Sequence, residues 1–224
     1  MSERRPATST PDGVVLLHGI SRTARSFRKM ELALHAAGFA TLNLDYDSRR
    51  KALDALAEDI HPAVDLFANG LEGSVHFVCH SMGGLLARAY LARHRPRRLG
   101  RVVMLGTPNG GSEVADLLQG LALYRKFYGP AGQQLTTHLD GVLRSLPALD
   151  YAVGIIAGNG SIDPISSILI VPRPNDGRVS VESSRLAGMT DHITVKASHN
   201  GLLRHRVAID QTIAFLREGR FKSS

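Results

Sequence analysis

The sequence of 224 residues lacks the features that mark secreted and membrane-spanning proteins. Its single cysteine excludes an internal disulfide framework and suits a reducing compartment. No apolar run approaches the length of a membrane-spanning helix, and the polar residues 1–12 are not typical of a secretory signal. We therefore expect a cytoplasmic protein with a disordered tail over residues 1–12 and one folded domain over residues 13–224.

Sequence patterns for metal and nucleotide binding are also missing. No histidine, cysteine or carboxylate residues have metal-ligand spacing such as H-E-x-x-H or paired C-x-x-C. No G-x-G-x-x-G follows a predicted strand, and no phosphate-binding loop is present. We therefore expect a protein that uses neither a metal nor a cofactor.

Acidic residues are fewer than basic ones: the chain has 20 Asp and Glu against 27 Lys and Arg, and its formal net charge is +7. The densest group of cations is the arginine cluster, which we define as the arginines of residues Arg93–Arg101. One interpretation is attraction to an anionic lipid surface or to nucleic acid. The other is a solvated loop whose cations suit the C-terminus of a helix. No aromatic residues interleave the cluster as a stacking surface requires, so we predict no nucleic-acid partner and at most weak contact with an anionic surface.

Short apolar runs alternate with segments of helical spacing along the chain. The apolar runs predict six strands, and the helices between them predict a parallel sheet that is covered on both faces. Pro62 lies inside the predicted helix over residues 52–68 and should kink or split it. In such a sheet, functional side chains are expected in the loops that follow the carboxyl ends of the strands.

The stretch from Val75 to Arg88 carries the clearest chemical signal. An apolar run suited to a buried strand breaks at small residues, and helical spacing resumes at Leu85. Ser81 stands at the apex of this strand–turn–helix pattern, which is the layout of a nucleophile elbow. The signature G-x-S-x-G reads C-H-S-M-G here, with Cys79 in place of the first glycine. A serine that caps the helix is the alternative interpretation.

A nucleophilic serine needs a base, and the base needs a group that holds its tautomer. His199 is the candidate base, because it follows the last predicted strand and precedes the closing helix. Asp176, in an Asn-Asp-Gly turn, is the candidate acid; Asp163 is its competitor, because it lies nearer the end of the preceding strand. The order Ser, Asp, His is the one expected for a hydrolase sheet with an elbow.

Two backbone N–H groups are the candidate oxyanion hole, which would stabilise negative charge on a substrate oxygen. One belongs to Met82, directly after Ser81, and the other to Ile20 in the loop after the first strand. Four neighbouring residues are candidates for contact with substrate: His18, Gly19, His80 and Pro108. Within this set, we expect His18 to brace the oxyanion loop and His80 to pack beside the elbow.

These motifs resemble those of the α/β-hydrolase superfamily, in particular its small lipase and esterase members. His18-Gly19, His80 to Gly84 and Asn175 to Val179 match the patterns H-G, H-S-M-G-G and N-D-G-x-V. Leu42 to Arg49 is similar to L-N-x-x-Y-P-S-R with an aspartate in place of the proline. Gly106 to Ser112 is similar to the T-P-x-x-G-[ST] loop of such proteins.

The resemblance implies an α/β-hydrolase fold with a minimal, mostly parallel sheet of about six strands and a small helical cap over about residues 113–150. The apolar and aromatic residues of that segment either line an acyl pocket or a lid, or they pack as core helices. The implied activity is that of a serine carboxylesterase or lipase, which cleaves a small-molecule or lipid ester through an acyl-serine intermediate without a cofactor. A thioesterase, amidase or acyltransferase would use the same residues. A non-catalytic, hydrolase-like binding protein is the alternative from another class.

Overall fold

The computed structural model describes residues 11–111, 148–160 and 171–223. Six strands lie in these ranges: β1 (Gly13–Leu17), β2 (Ala40–Leu44), β3 (Val75–His80), β4 (Leu99–Leu105), β5 (Val153–Gly158) and β6 (Asp191–Val195). The same ranges contain a 3₁₀ helix (Ala24–Phe27) and five α-helices: α1 (Arg28–Ala36), α2 (Leu53–Asn69), α3 (Met82–Leu91), α4 (Val181–Ser184) and α5 (Arg206–Glu218). Residues 1–10 of the predicted tail, residues 113–147 of the predicted cap and Asp163 lie outside the described residues.

The described strands form one parallel sheet in the order β2-β1-β3-β4-β5-β6. Their carboxyl ends lie level with one another, since Leu17 pairs with both Leu44 and Cys79, and Leu105 pairs with Ile156. The loops that follow these strands therefore meet along one edge of the sheet. This arrangement confirms the predicted fold class.

Each face of the sheet has its own apolar core, because successive side chains of a strand point to opposite faces. Val15 and Leu17 pack with α2 and α3 on one face, and Val14 and Leu16 pack with α1 and α5 on the other. All four side chains are fully buried. A strand that is covered on both faces has no polar side, which explains the continuous apolar runs in the sequence.

Two predictions from the sequence are corrected. Helix α2 continues through Pro62, so the predicted split is wrong. A proline costs the helix one backbone hydrogen bond, and the buried apolar face of α2 against the sheet offsets that loss. Asp12, placed in the predicted tail, is tied to the sheet: its carboxylate accepts the Ser74 N–H at 2.7 Å, and its carbonyl accepts the Ala40 N–H at 3.0 Å.

No helix of the described ranges has both the length and the apolar character that crossing a lipid bilayer requires.

Candidate active site

Ser81 lies at the turn between β3 and α3 in a strained backbone conformation, with φ 55° and ψ −127°. A positive φ costs a non-glycine residue on the order of 1–3 kcal/mol, so the surrounding contacts must hold it. The Ser81 N–H donates to the Leu105 carbonyl at 2.9 Å, and the Thr107 hydroxyl donates to the Ser81 carbonyl at 3.0 Å. Both backbone polar groups of Ser81 are thus fixed to β4 and the loop that follows it.

The turn is tight enough that two glycines are required after Ser81. A Cβ atom at Gly83 would lie 2.2 Å from the Leu17 carbonyl oxygen, and one at Gly84 would lie 2.2 Å from the Thr107 hydroxyl. Both distances are far shorter than a van der Waals contact, so only glycine lets α3 begin against β1 and the β4 loop.

Cys79 occupies the place of the first signature glycine without disturbing the turn. Its side chain is fully buried in the core that β3 shares with α2 and α3. Burial raises the pKa of its thiol, so it stays protonated. The cysteine is therefore a small core residue.

Three side chains from distant parts of the sequence form one chain of hydrogen bonds, which we call the relay. His199 Nε2 lies 3.0 Å from Ser81 Oγ, and His199 Nδ1 lies 2.8 Å from Asp176 Oδ2. The other carboxylate oxygen of Asp176 accepts the backbone N–H groups of Arg178 and Val179, both at 2.9 Å. Since a carboxylate only accepts, Nδ1 carries the proton and Nε2 is free to accept one from the serine.

Two glycines that were not among the predicted site residues make room for the Asp176–His199 pair. A Cβ atom at Gly106, where φ is 56°, would lie 3.0 Å from Asp176 Oδ2 and 3.2 Å from His199 Nδ1. One at Gly158 would lie 2.7 Å from Asp176 Cβ. Their sequence signal is weak but present, because each glycine ends an apolar run that a loop follows.

His80 supports the loop that carries His199. Its Nε2–H donates to the His199 carbonyl at 2.9 Å, and the two rings lie 4.7 Å apart between centroids. Burial lowers the pKa of His80 well below its ordinary value, and His199, Arg22 and Arg178 lower it further. His80 is therefore a neutral hydrogen-bond donor at neutral pH.

The predicted oxyanion loop, residues 18–21, is braced by the segment that follows β2. The Tyr46 ring stacks on the His18 ring with 4.0 Å between centroids, and the Tyr46 hydroxyl donates to the His18 carbonyl. The Ser21 N–H donates to the Ser48 hydroxyl at 3.1 Å. Tyr46 and Ser48 of the segment after β2 therefore hold this loop in place.

The loop passes directly against the serine. A Cβ atom at Gly19 would lie 3.1 Å from Ser81 Cβ. Among the described residues, the backbone N–H groups of Ile20 and Met82 have no hydrogen-bond acceptor. Met82 is also the first residue of α3, where the helix dipole favours negative charge.

Comparison with known proteins connects this geometry to a family. The sequence profile of the alpha/beta hydrolase family matches residues 14–205. The chain belongs to the alpha/beta hydrolase family.

Solved structures of other alpha/beta hydrolases have the same fold. The mature lipase BlEst2 of Bacillus licheniformis superposes with a TM-score of 0.72 at 21% identity, over 96% of this chain and 94% of the lipase. The RedJ thioesterase of the prodiginine biosynthetic pathway in Streptomyces coelicolor superposes with a TM-score of 0.60 at 16% identity, over 96% of this chain and 92% of that one. At these identities the likeness concerns the fold alone.

Curated relatives match a smaller part of this chain than these structures do. Lysosomal thioesterase PPT2 of Bos taurus is 28% identical over 137 residues, which cover 55% of this chain and 45% of the relative. The human protein of the same name matches over the same extent. The matched part is thus about half the length of these curated relatives.

The arginine cluster of this alpha/beta hydrolase lies away from the relay. It borders a cleft at the opposite edge of the sheet, beside the amino ends of β3 and β4. Four of its arginines bind carboxylate or carbonyl groups: Arg93 with Asp54, Arg95 with Asp150, Arg98 with the Glu72 carbonyl, and Arg101 with the Leu216 carbonyl. Such pairs fit the solvated-loop interpretation, and contact with an anionic surface stays a prediction.

The structure thus brings together the predicted Ser81, Asp176 and His199. It places the loop of Ile20 and the N-terminus of α3 beside Ser81. Contact with substrate stays a prediction for four residues: His18, Gly19, His80 and Pro108. Within the described ranges, no three His, Cys, Asp or Glu side chains are arranged to hold a metal ion.

Proposed function

We propose that this alpha/beta hydrolase is a serine carboxylesterase or lipase that acts through an acyl-serine intermediate. The observation that carries the proposal is the relay, in which Ser81 Oγ lies 3.0 Å from His199 Nε2 and Asp176 holds the other ring nitrogen. This is the geometry that activates a serine hydroxyl, which is a poor nucleophile by itself.

The first half of the reaction acylates Ser81. As Ser81 Oγ attacks the ester carbonyl carbon, His199 takes its proton, and the carbonyl π electrons move to the oxygen. The N–H groups of Met82 and Ile20 stabilise that oxyanion, and loss of one such donor costs about 3 kcal/mol of transition-state stabilisation. When the tetrahedral intermediate collapses, the C–O bond to the alcohol breaks and His199 gives the alcohol its proton.

The second half releases the acid. His199 takes a proton from water while the water oxygen attacks the acyl-serine carbonyl. Collapse of the second intermediate breaks the bond to Ser81 Oγ, which regains the proton from His199. Asp176 stays ionised throughout and stabilises the imidazolium that forms in each half.

A serine substitution tests the proposal. Ser81→Ala is expected to reduce kcat for p-nitrophenyl butyrate by about 10⁴-fold or more and to abolish labelling by a fluorophosphonate probe. Ser74→Ala is a matched control, because Ser74 directly precedes β3 at the amino edge of the sheet, at the other end of the strand from Ser81. Equal rates in wild type and Ser81→Ala would remove Ser81 as the nucleophile.

A thioesterase is the second candidate, and the curated relatives named lysosomal thioesterase PPT2 favour it. The relay would act on a thioester in the same way, with a thiol as the leaving group. The two candidates are separated by kcat/KM for one acyl group presented as a butyryl oxygen ester and as a butyryl thioester of a small thiol. A preference for the thioester beyond its greater intrinsic reactivity would favour the second candidate.

A further inference from the structure

We propose that the substrate of this site carries a negatively charged group, a carboxylate or a phosphate, which Arg22 and Arg178 bind. This inference rests on the proposed function and adds the class of substrate. It starts from two exposed arginines beside the relay.

Arg22 is held next to the oxyanion loop. Its backbone N–H donates to the Gly19 carbonyl at 3.2 Å. Gly19 in turn lies against Ser81, where a Cβ atom on the glycine would approach Ser81 Cβ to 3.1 Å. The exposed side chain of Arg22 therefore begins one short turn away from the candidate nucleophile.

Arg178 is held next to the acid of the relay. Its backbone N–H donates to Asp176 Oδ1 at 2.9 Å. The two arginines thus start from opposite ends of the relay, one beside Ser81 and one beside Asp176. Both cations lower the pKa of His80, whose ring lies against His199, so both act at electrostatic range on the same part of the site.

Within the described residues, neither side chain has a carboxylate partner, unlike two cations of the segment between β2 and α2. Arg50 pairs with Asp47 and Lys51 pairs with Asp59. The Asp176 carboxylate itself is buried and already accepts from His199 and two backbone N–H groups.

Because no carboxylate of the described residues pairs with either guanidinium, both are available to an anionic group of the substrate. A guanidinium presents a planar fork of donors that matches a carboxylate or a phosphate. Positive charge beside the relay also raises the local concentration of an anionic ester. The charged group can belong to the acyl part or to the alcohol part of the ester, and the experiment has an arm for each.

The acyl arm compares p-nitrophenyl hydrogen glutarate, whose acyl chain ends in a carboxylate, with neutral p-nitrophenyl butyrate. The alcohol arm compares butyryl glycerol phosphate with butyryl glycerol. In each arm the measured quantity is the ratio of kcat/KM for the anionic ester to kcat/KM for the neutral ester. Wild type is tested beside Arg22→Gln, Arg178→Gln and the double variant, with Arg97→Gln as a control that removes the same charge from the exposed arginine cluster at the opposite edge.

In at least one arm, we expect each single variant to lower the ratio about threefold and the double variant to lower it about tenfold. Added salt should lower the wild-type ratio, because exposed charges are screened. Arg97→Gln should keep the wild-type ratio. A double variant with the wild-type ratio in both arms would overturn the inference and leave the proposed function standing. Absence of Ser81-dependent hydrolysis of all four esters in wild type would instead overturn the proposed function and the inference with it.

Discussion

Gly83→Ala is the substitution for which the structure makes the sharpest prediction. The added Cβ atom would lie 2.2 Å from the Leu17 carbonyl oxygen and 2.8 Å from the His18 carbonyl oxygen. Both are backbone atoms, so no side-chain rotation can relieve the contact. Either α3 must move away from β1, or the loop that follows β1 must move away from Ser81.

Two costs follow from this overlap. Overpacking in a dense interior typically costs about 1–3 kcal/mol, and we expect about 3 kcal/mol here because β1 is paired on both sides. The second cost falls on activity, since the displaced elements carry Ser81 and the N–H groups of Ile20 and Met82. Misplacement by about 1 Å costs about 10²-fold in rate.

The assay combines urea unfolding with the kcat of p-nitrophenyl butyrate hydrolysis. Gly70→Ala is the matched control, because φ is −79° at Gly70 and the nearest atom to its added Cβ would be 3.5 Å away. We expect Gly70→Ala to raise the free energy of unfolding by about 0.4–1 kcal/mol, since it lowers the entropy of the unfolded chain. A Gly83→Ala protein with the stability and kcat of wild type would refute the close-packing account of the elbow.

Three further predictions concern the relay and the buried histidines. Asp176→Asn should lower kcat by about 10³- to 10⁴-fold, because its amide N–H₂ would face His199 and enforce the wrong tautomer; a kcat near wild type would contradict the assigned role. His80→Phe removes the donor to the His199 carbonyl, so kcat should fall while KM changes little. His80→Gln keeps a donor and should therefore recover part of the lost kcat. Equal kcat values in the two variants would argue against a positioning role for His80. Burial lowers the pKa of His76 and of His80 below the ordinary value of 6.5, so the unfolded chain takes up protons first as the pH falls. The free energy of unfolding should then decrease below about pH 6.5, by up to about 1.4 kcal/mol per pH unit for each histidine; a urea midpoint that is constant from pH 7.5 to 5 would contradict this.

Much of the fold could be predicted from residues that are close in sequence. Apolar runs such as Val14–Leu17 predict strands because a strand buried on both faces has no polar side. The turn at Ser81 is predictable because small residues must follow it where strand and helix nearly touch. Pro62 is the counterexample. A proline inside a helix is expected to interrupt it, but the packing of α2 against the sheet outweighs the loss of one backbone hydrogen bond.

The sequence by itself therefore determined the parallel sheet, the elbow and the order of serine, acid and histidine. Only the tertiary structure decided that Asp176 meets His199, that Gly106 and Gly158 leave room for the pair, and that His80 holds the loop of His199. The physical reason is that periodicity and turn chemistry act over a few residues. Contacts between β3 and the loop after β6 depend instead on strand order and register, which bring together residues more than 100 positions apart in the sequence.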